Sequence, residues 1–153
     1  MKRLLFCLLA AATLTTGTGC RGFDIHTPDG FAELDDQARY DYRAADADGV
    51  VLAVRKEAND PTGDLTFWSG ALDAHLRRQG YTAVDSQPLD SADGVPGRQL
   101  RYQRDLGGRK HAFWVTVFVT DDAVVTVEAG GDEAFFADKE KSIVAAIRSI
   151  EAS

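Results

Sequence analysis

The run Phe113-Trp114-Val115-Thr116-Val117-Phe118-Val119 constrains the fold more than any other feature, because both of its alternating faces are apolar or β-branched. A strand of that kind is covered on both sides and therefore lies inside a sheet. Further strand-like segments occur at 81–86, 98–104 and 124–129, and the central run itself extends over 110–120. Their separators, Ser91-Ala92-Asp93-Gly94, Gly107-Gly108 and Asp121-Asp122, are turn signals. Links that short join antiparallel neighbours, whereas a parallel crossover needs about a dozen residues or more. Residues 39–44 and 50–56 read as an earlier hairpin turned by Asp48-Gly49, a pair that favours tight hairpin turns. Residues 22–26 alternate apolar and polar and read as one more half-buried strand.

Amphipathic helices supply the cover. Asp64 is placed to cap a helix over 65–79, in which Leu65, Trp68, Leu72 and Leu76 recur at three- and four-residue spacing. Arg77 and Arg78 suit the negative end of its dipole, and Gly80 stops it. Asp132 caps a second helix, with Phe136, Ile143, Ile147 and Ile150 along one face and Lys139, Lys141, Arg148 and Glu151 free to meet water. Phe67, Trp68, Trp114 and Phe118 lie on these periodic elements and are expected in the core. The expected fold is α+β, a three-layer α/β/α sandwich with a central, mainly antiparallel sheet of about seven strands and two main helices.

Catalytic and metal signatures are weak. His26, His75 and His111 show neither HxxxH nor HxH spacing and have no cysteine beside them, so surface or half-buried roles are expected rather than a metal site. Ser69, in Phe67-Trp68-Ser69-Gly70-Ala71, lacks the G-x-S-x-G elbow and falls inside a helix instead of after a strand. In Asp46-Ala47-Asp48-Gly49 the EF-hand register puts Ala44 at the first ligand and Arg55 where the bidentate Glu belongs, which favours a plain hairpin. Gly107-Gly108-Arg109-Lys110 is followed by a strand, not by the helix N-terminus that a phosphate loop requires. Strand alternation separates Arg98 and Arg104 from Arg101 and so divides the one candidate basic patch. No cofactor is expected. Two alternatives stay open: an envelope hydrolase or metal-dependent enzyme assembled from distant residues around His75 or His111, and a small-ligand groove on a partly covered sheet face.

The N-terminus indicates an address. Lys2 and Arg3 precede an apolar segment over 4–14, and Thr16, Gly17, Thr18 and Gly19 lead to Cys20. The apolar segment is shorter than the roughly 20 residues a spanning helix needs, and the layout is that of an export signal. Thr18-Gly19-Cys20 resembles the bacterial lipoprotein signal, the lipobox, with Gly17 where that family usually carries leucine. The resemblance implies removal of residues 1–19, a diacylglyceryl group on the Cys20 sulfur and often an acyl chain on the freed amine. Each buried methylene contributes about 0.8 kcal/mol, and two or more chains make a stable membrane anchor. Cleavage elsewhere, leaving a soluble secreted protein with one free thiol, is the alternative. Arg21 is not the aspartate that retains enterobacterial lipoproteins at the inner membrane, so an outer-membrane, periplasm-facing location is expected.

With Cys7 inside the leader, the domain from Cys20 to Ser153 can form no internal disulfide. It must cohere by burial, which at this size removes roughly two-thirds of the unfolded chain's surface from water. Lys2 and Arg3 leave with the leader, so 15 of the 17 cations face all 24 carboxylates, a formal charge of −9. That balance disfavours nucleic acid and anionic headgroups as partners.

Thr27-Pro28-Asp29-Gly30-Phe31-Ala32-Glu33-Leu34, Gly80-Tyr81-Thr82-Ala83-Val84-Asp85-Ser86 and Gly94-Val95-Pro96-Gly97-Arg98-Gln99-Leu100-Arg101-Tyr102, in the order hairpin, helix, long strands and terminal helix, resemble the PsbP/Mog superfamily and related small bacterial domains. The likeness covers nearly all of residues 20–153, read as a single domain, and implies the three-layer fold. It also implies roles such as accessory subunit of a membrane complex, GTPase-binding protein or effector chaperone. The expectation is a non-catalytic, lipid-anchored envelope domain that binds a protein partner.

Overall fold

The computed structural model describes residues 23–35 and 39–153. Residues 1–22, Cys20 among them, lie outside the described residues, so the lipid-attachment reading and the 1–19/20–153 division are not addressed by the fold. Strands β1 (Ala32–Glu33), β2 (Tyr42–Ala45), β3 (Val51–Ala58), β4 (Thr82–Pro88), β5 (Gly97–Leu106), β6 (Arg109–Val119) and β7 (Ala123–Asp132) form one sheet with helices α1 (Leu65–Arg78) and α2 (Glu133–Arg148). The strand order is β1-β2-β3-β7-β6-β5-β4, and every pairing is antiparallel. A two-residue turn makes the β5–β6 hairpin tight: Gly107 and Gly108 both have positive φ, 63° and 81°, the backbone a type I′ turn requires. In the β2–β3 turn the Asp46 carboxylate accepts from the amides of Asp48 (3.0 Å) and Val50 (2.9 Å), as a hairpin aspartate does.

β6 is buried on both faces, and its alternation sorts the two cores. Ala112, Trp114 and Phe118 join Phe136, Ile143 and Ile147 of α2 in the larger cluster. Val115 and Val117 join Leu76, with Leu65, Trp68 and Leu72 of α1 packed against them. The helices therefore cover opposite faces of the sheet. Asp64 accepts from the Phe67 amide (2.7 Å) and Asp132 from that of Ala134 (3.1 Å), so both helices start where their caps are expected.

Several expectations need correction. The segment at 22–26 forms no strand in its described part: Asp24 makes a single bridge with Glu151, and the His26 amide donates to Ser149 Oγ. The alternation is real, since Phe23 and Ile25 are buried, but the partner is the chain's last residues and not a sheet edge. His26 is accordingly on no strand. β2 begins at Tyr42, not at 39, and the short β1 that covers it went unread. Phe67 is 50% exposed and lies edge-on to Trp68 instead of in the core. Lys139 is half-buried, its Nζ 3.5 Å from Asp46 Oδ2.

Register gives the sheet two distinct ends. Ala58, Pro88, Gly97 and Val119 lie at one, together with loops 59–64, 89–96 and 120–122. Residues 23–25 and 149–153 meet there too, tied by Ala92 N donating to the Ile150 carbonyl (2.8 Å). The other end carries Thr82, the Gly107-Gly108 turn, Asp132 and the C-terminus of α1. No described helix is long and apolar enough to cross a membrane.

Candidate functional site

α1 contacts β4, β5 and β6, leaving a cleft on each flank. The larger, about 560 Å³, opens between α1 and β4–β5. Tyr102 reaches into it from the sheet and donates from Oη to Asp73 Oδ1 (2.8 Å). Arg77, one helical turn beyond Asp73, places Nε 2.9 and 2.8 Å from its two carboxylate oxygens. The Arg77 bond, then that of Tyr102, holds the Asp73 carboxyl below the usual range against the opposing effect of partial burial. Burial first, then the hydrogen bond to Asp73 and that carboxylate's charge, push the Tyr102 phenol well above its ordinary value. The phenol thus stays protonated and acts as a donor.

On the other flank Trp68, Leu72, Val124 and Thr126 line a cleft of about 400 Å³. It is bounded by Arg55, whose Nη2 donates to Glu128 Oε1 (2.6 Å). Tyr40 Oη donates to the other oxygen of Glu128 (3.0 Å); burial, then the Glu128 charge, raise its pKa. Past this pair a shallower depression of about 190 Å³ continues over Val51, Ala53 and Phe113. Much of the α1-side face over β3 and β7 is therefore covered by side chains alone. At the mouth of α1, Asn59 links three segments: its Nδ2 donates to the carbonyls of Gly63 (3.0 Å) and Thr120 (2.9 Å), and its Oδ1 accepts from Gly63 N (2.9 Å) and Trp68 Nε1 (2.8 Å).

Beneath α2 lies a third cleft, about 340 Å³, with Trp114, Phe136, Glu133 and Glu140 in its wall. Arg101 stacks there with its guanidinium carbon 3.8 Å from the Trp114 ring centroid and donates Nε to the fully buried Gln99 (2.8 Å). An indole face attracts a guanidinium electrostatically.

The residues singled out in the sequence do not converge. Ser69 is buried in α1 and donates back to the Leu65 carbonyl (2.6 Å). His26 and His75 are exposed, while His111 pairs with Asp132 across β6–β7. No group of three or more His, Cys, Asp or Glu side chains suited to hold a metal ion occurs among the described residues. The basic residues divide as alternation requires: Arg101 lies on the α2 side, whereas Arg104 stacks over Tyr81 and Arg98 lines the 560 Å³ cleft on the α1 side. Asp73, Tyr102, Arg55, Glu128 and Tyr40 escaped sequence reading. The i,i+4 spacing of Asp73 and Arg77 was the one local signal; Tyr40 and Glu128 are 88 residues apart.

No protein-family model matches the chain, and no curated protein matches it in sequence. Solved structures do match in shape. The cyanobacterial PsbP, CyanoP, from Synechocystis sp. PCC 6803 superposes with a TM-score of 0.62 at 15% identity, covering 86% of this chain and 87% of its own. LpqN of Mycobacterium tuberculosis, which is involved in cell envelope biogenesis, gives 0.68 at 13%, covering 84% and 81%. A protein of unknown function from Pseudomonas aeruginosa, PA94, gives 0.55 at 13%, covering 82% and 79%. Across almost its whole described length, this chain has a PsbP-like fold.

Proposed function

We propose that the chain is a lipid-tethered, non-catalytic accessory domain of a bacterial cell envelope, held at Cys20 and binding a protein partner. The observation that carries this reading is the shared fold, over more than four-fifths of the chain, with CyanoP and with the envelope-biogenesis protein LpqN. The site chemistry is in keeping with it. Asp73, Tyr102 and Asn59 are each engaged in bonds that hold elements together, and Ser69 bonds back within α1, a constellation fitted to shape a surface more than to move protons. Cys20 stands three residues before the buried Phe23, so a lipid on its sulfur would hold the domain against the bilayer.

Fatty-acid-analogue labelling of the full chain, with and without Cys20→Ala, tests the tether, and labelling that survives the substitution would refute it. Affinity capture from the native envelope, with neighbours identified by mass spectrometry, tests the accessory role. A stoichiometric protein neighbour is expected; turnover of an envelope substrate by the purified chain would overturn the non-catalytic assignment.

A further inference from the structure

One long strand of the sheet has an open side. β4 ends the strand order, and no described element pairs with its outer side; β1, at the other edge, has two residues. Val84 and Asp85 border clefts on both faces, so neither helix covers the β4 edge. Val84 itself is 58% exposed. An edge of seven residues is a template for another strand, yet this backbone is poorly suited to serve as one. The Leu89 amide donates inward to the Gly97 carbonyl (3.1 Å), so alternation turns the amides of Gln87 and Asp85 towards β5 and positions 86 and 88 outward. At 86 the amide is taken, because Ser86 N donates to Asp85 Oδ1 (2.8 Å). At 88 stands Pro88, which has no N–H. Further along, the register shifts between Ala83 and Asp85 and leaves Val84 unpaired in a bulge, which bends a strand and strengthens its twist.

We infer that β4 is a closed edge: the Asp85 carboxylate, Pro88 and the Val84 bulge together bar strand addition there, whether by a second copy of the chain or by an extended segment of a partner. An antiparallel neighbour exchanges an N–H···O bond in each direction with every outward residue. Over 85–88 the outer side offers carbonyls but no free N–H, so about half of those bonds cannot form. Each carbonyl a neighbour brought there would leave water without gaining a donor, which is costly. The bulge then carries the rest of the edge out of the line a straight neighbour would follow. The inference depends neither on the tether nor on the accessory role. It adds that whatever meets this domain meets its faces or its loops and does not extend the sheet at β4.

The test uses the full chain in dodecyl maltoside micelles, with light scattering after size exclusion for the protein mass and hydrogen exchange for residues 82–88. The parent is expected to exchange over 82–88 at a rate independent of its concentration. Asp85→Val with Pro88→Val frees two outward donors in each copy, which at the modest net contribution of a protein hydrogen bond should tighten self-association at least about thirtyfold. Exchange over 82–88 should then slow as concentration rises. Asp85→Ala alone, the milder opening, should tighten association at least about threefold, and it decides the matter if the double variant fails to fold by circular dichroism. Asp85→Asn keeps a side-chain acceptor for Ser86 N while removing the charge, and should behave as the parent. So should Asp138→Val, which adds the same apolar group to an exposed position of α2. Protection of 82–88 that grows with concentration in the parent would overturn the inference, as would folded opening variants that gain none. Association of Asp85→Asn or Asp138→Val as strong as that of the opening variants would overturn it too, by assigning the effect to charge or to general apolar gain.

Discussion

Replacing Gly97 by alanine inserts one methyl group at the tightest point of the sheet. A Cβ there would lie 2.5 and 2.6 Å from two ring carbons of Phe118 and 2.6 Å from the Leu89 carbonyl oxygen. Neither neighbour can yield easily. Phe118 is the direct cross-strand partner of Gly97 and has 0% exposure, and Leu89 is held by its amide donating to the Gly97 carbonyl (3.1 Å). Overpacking of a rigid core costs typically about 1–3 kcal/mol; with one clash against a ring and one against backbone, a value near the upper end, about 3 kcal/mol, is expected. With a urea m-value of about 1.5–2 kcal/mol/M, the midpoint should fall by about 1.5–2 M at unchanged slope. Phe118→Leu added to Gly97→Ala removes the ring clash and leaves the carbonyl clash, so the double-mutant cycle should show a favourable coupling of about 1 kcal/mol. A Gly97→Ala protein within about 0.5 kcal/mol of the parent, the range of an ordinary surface substitution, would refute the packing argument.

Asn59→Leu should cost about 2–4 kcal/mol in urea unfolding, because it strands the Gly63 amide and Trp68 Nε1 in a buried junction, and Trp68 fluorescence should report the change. The Asp93 carboxylate accepts from Ser91 Oγ, from the amides of Ala152 (3.1 Å) and Ser153 (2.9 Å) and from Ser153 Oγ. These bonds, the Ser153 and Ser91 hydroxyls first, lower its pKa far below the usual carboxylate range. Its contribution is then fully present above the unfolded value of about 3.9 and is lost only as pH falls through the depressed one. Hydrogen exchange at Ala152 and Ser153 should accordingly be as slow at pH 4.5 as at pH 7, after correction for intrinsic rates, and fast in Asp93→Ala at both. For Tyr102 the folded pKa is raised, so its stabilising effect holds below the unfolded value of about 10 and is lost as pH climbs through the folded one. Absorbance at 295 nm should show a tyrosine step above the ordinary value of about 10, and Tyr102→Phe should reduce its amplitude by one phenol.

Local pattern carried most of the fold. The doubly apolar run of β6, the Asp64 and Asp132 caps and the glycine turns act within a few residues of themselves, and both helices and strands β2 to β7 formed near their expected places. The misreadings share a cause. The alternation of Phe23 and Ile25 reports burial, but no local signal says that the partner is the segment around Glu151. Phe67 lies in α1 beside Trp68, yet one position of rotation turns it from the sheet towards solvent. Lys139 is drawn down by Asp46, 93 positions earlier, which periodicity does not register.

The clefts were legible least of all. Tyr102 and Asp73, or Tyr40 and Glu128, become neighbours only when β5 passes under α1 and β7 inserts beside β3. The basic residues show the same division: alternation alone assigned Arg98 and Arg104 to one face and Arg101 to the other, but their surroundings came from elements distant in sequence.

By itself the sequence determined the strands, helices, caps and turns, since hydrophobic period and backbone preference are properties of short windows. It also holds, in residues 1–20, a linear pattern that resembles an export signal. Tertiary structure alone decided that β7 separates β3 from β6 and that the helices cover opposite faces. Those features depend on which distant segments share an edge, and that choice is made by the burial of the whole chain together.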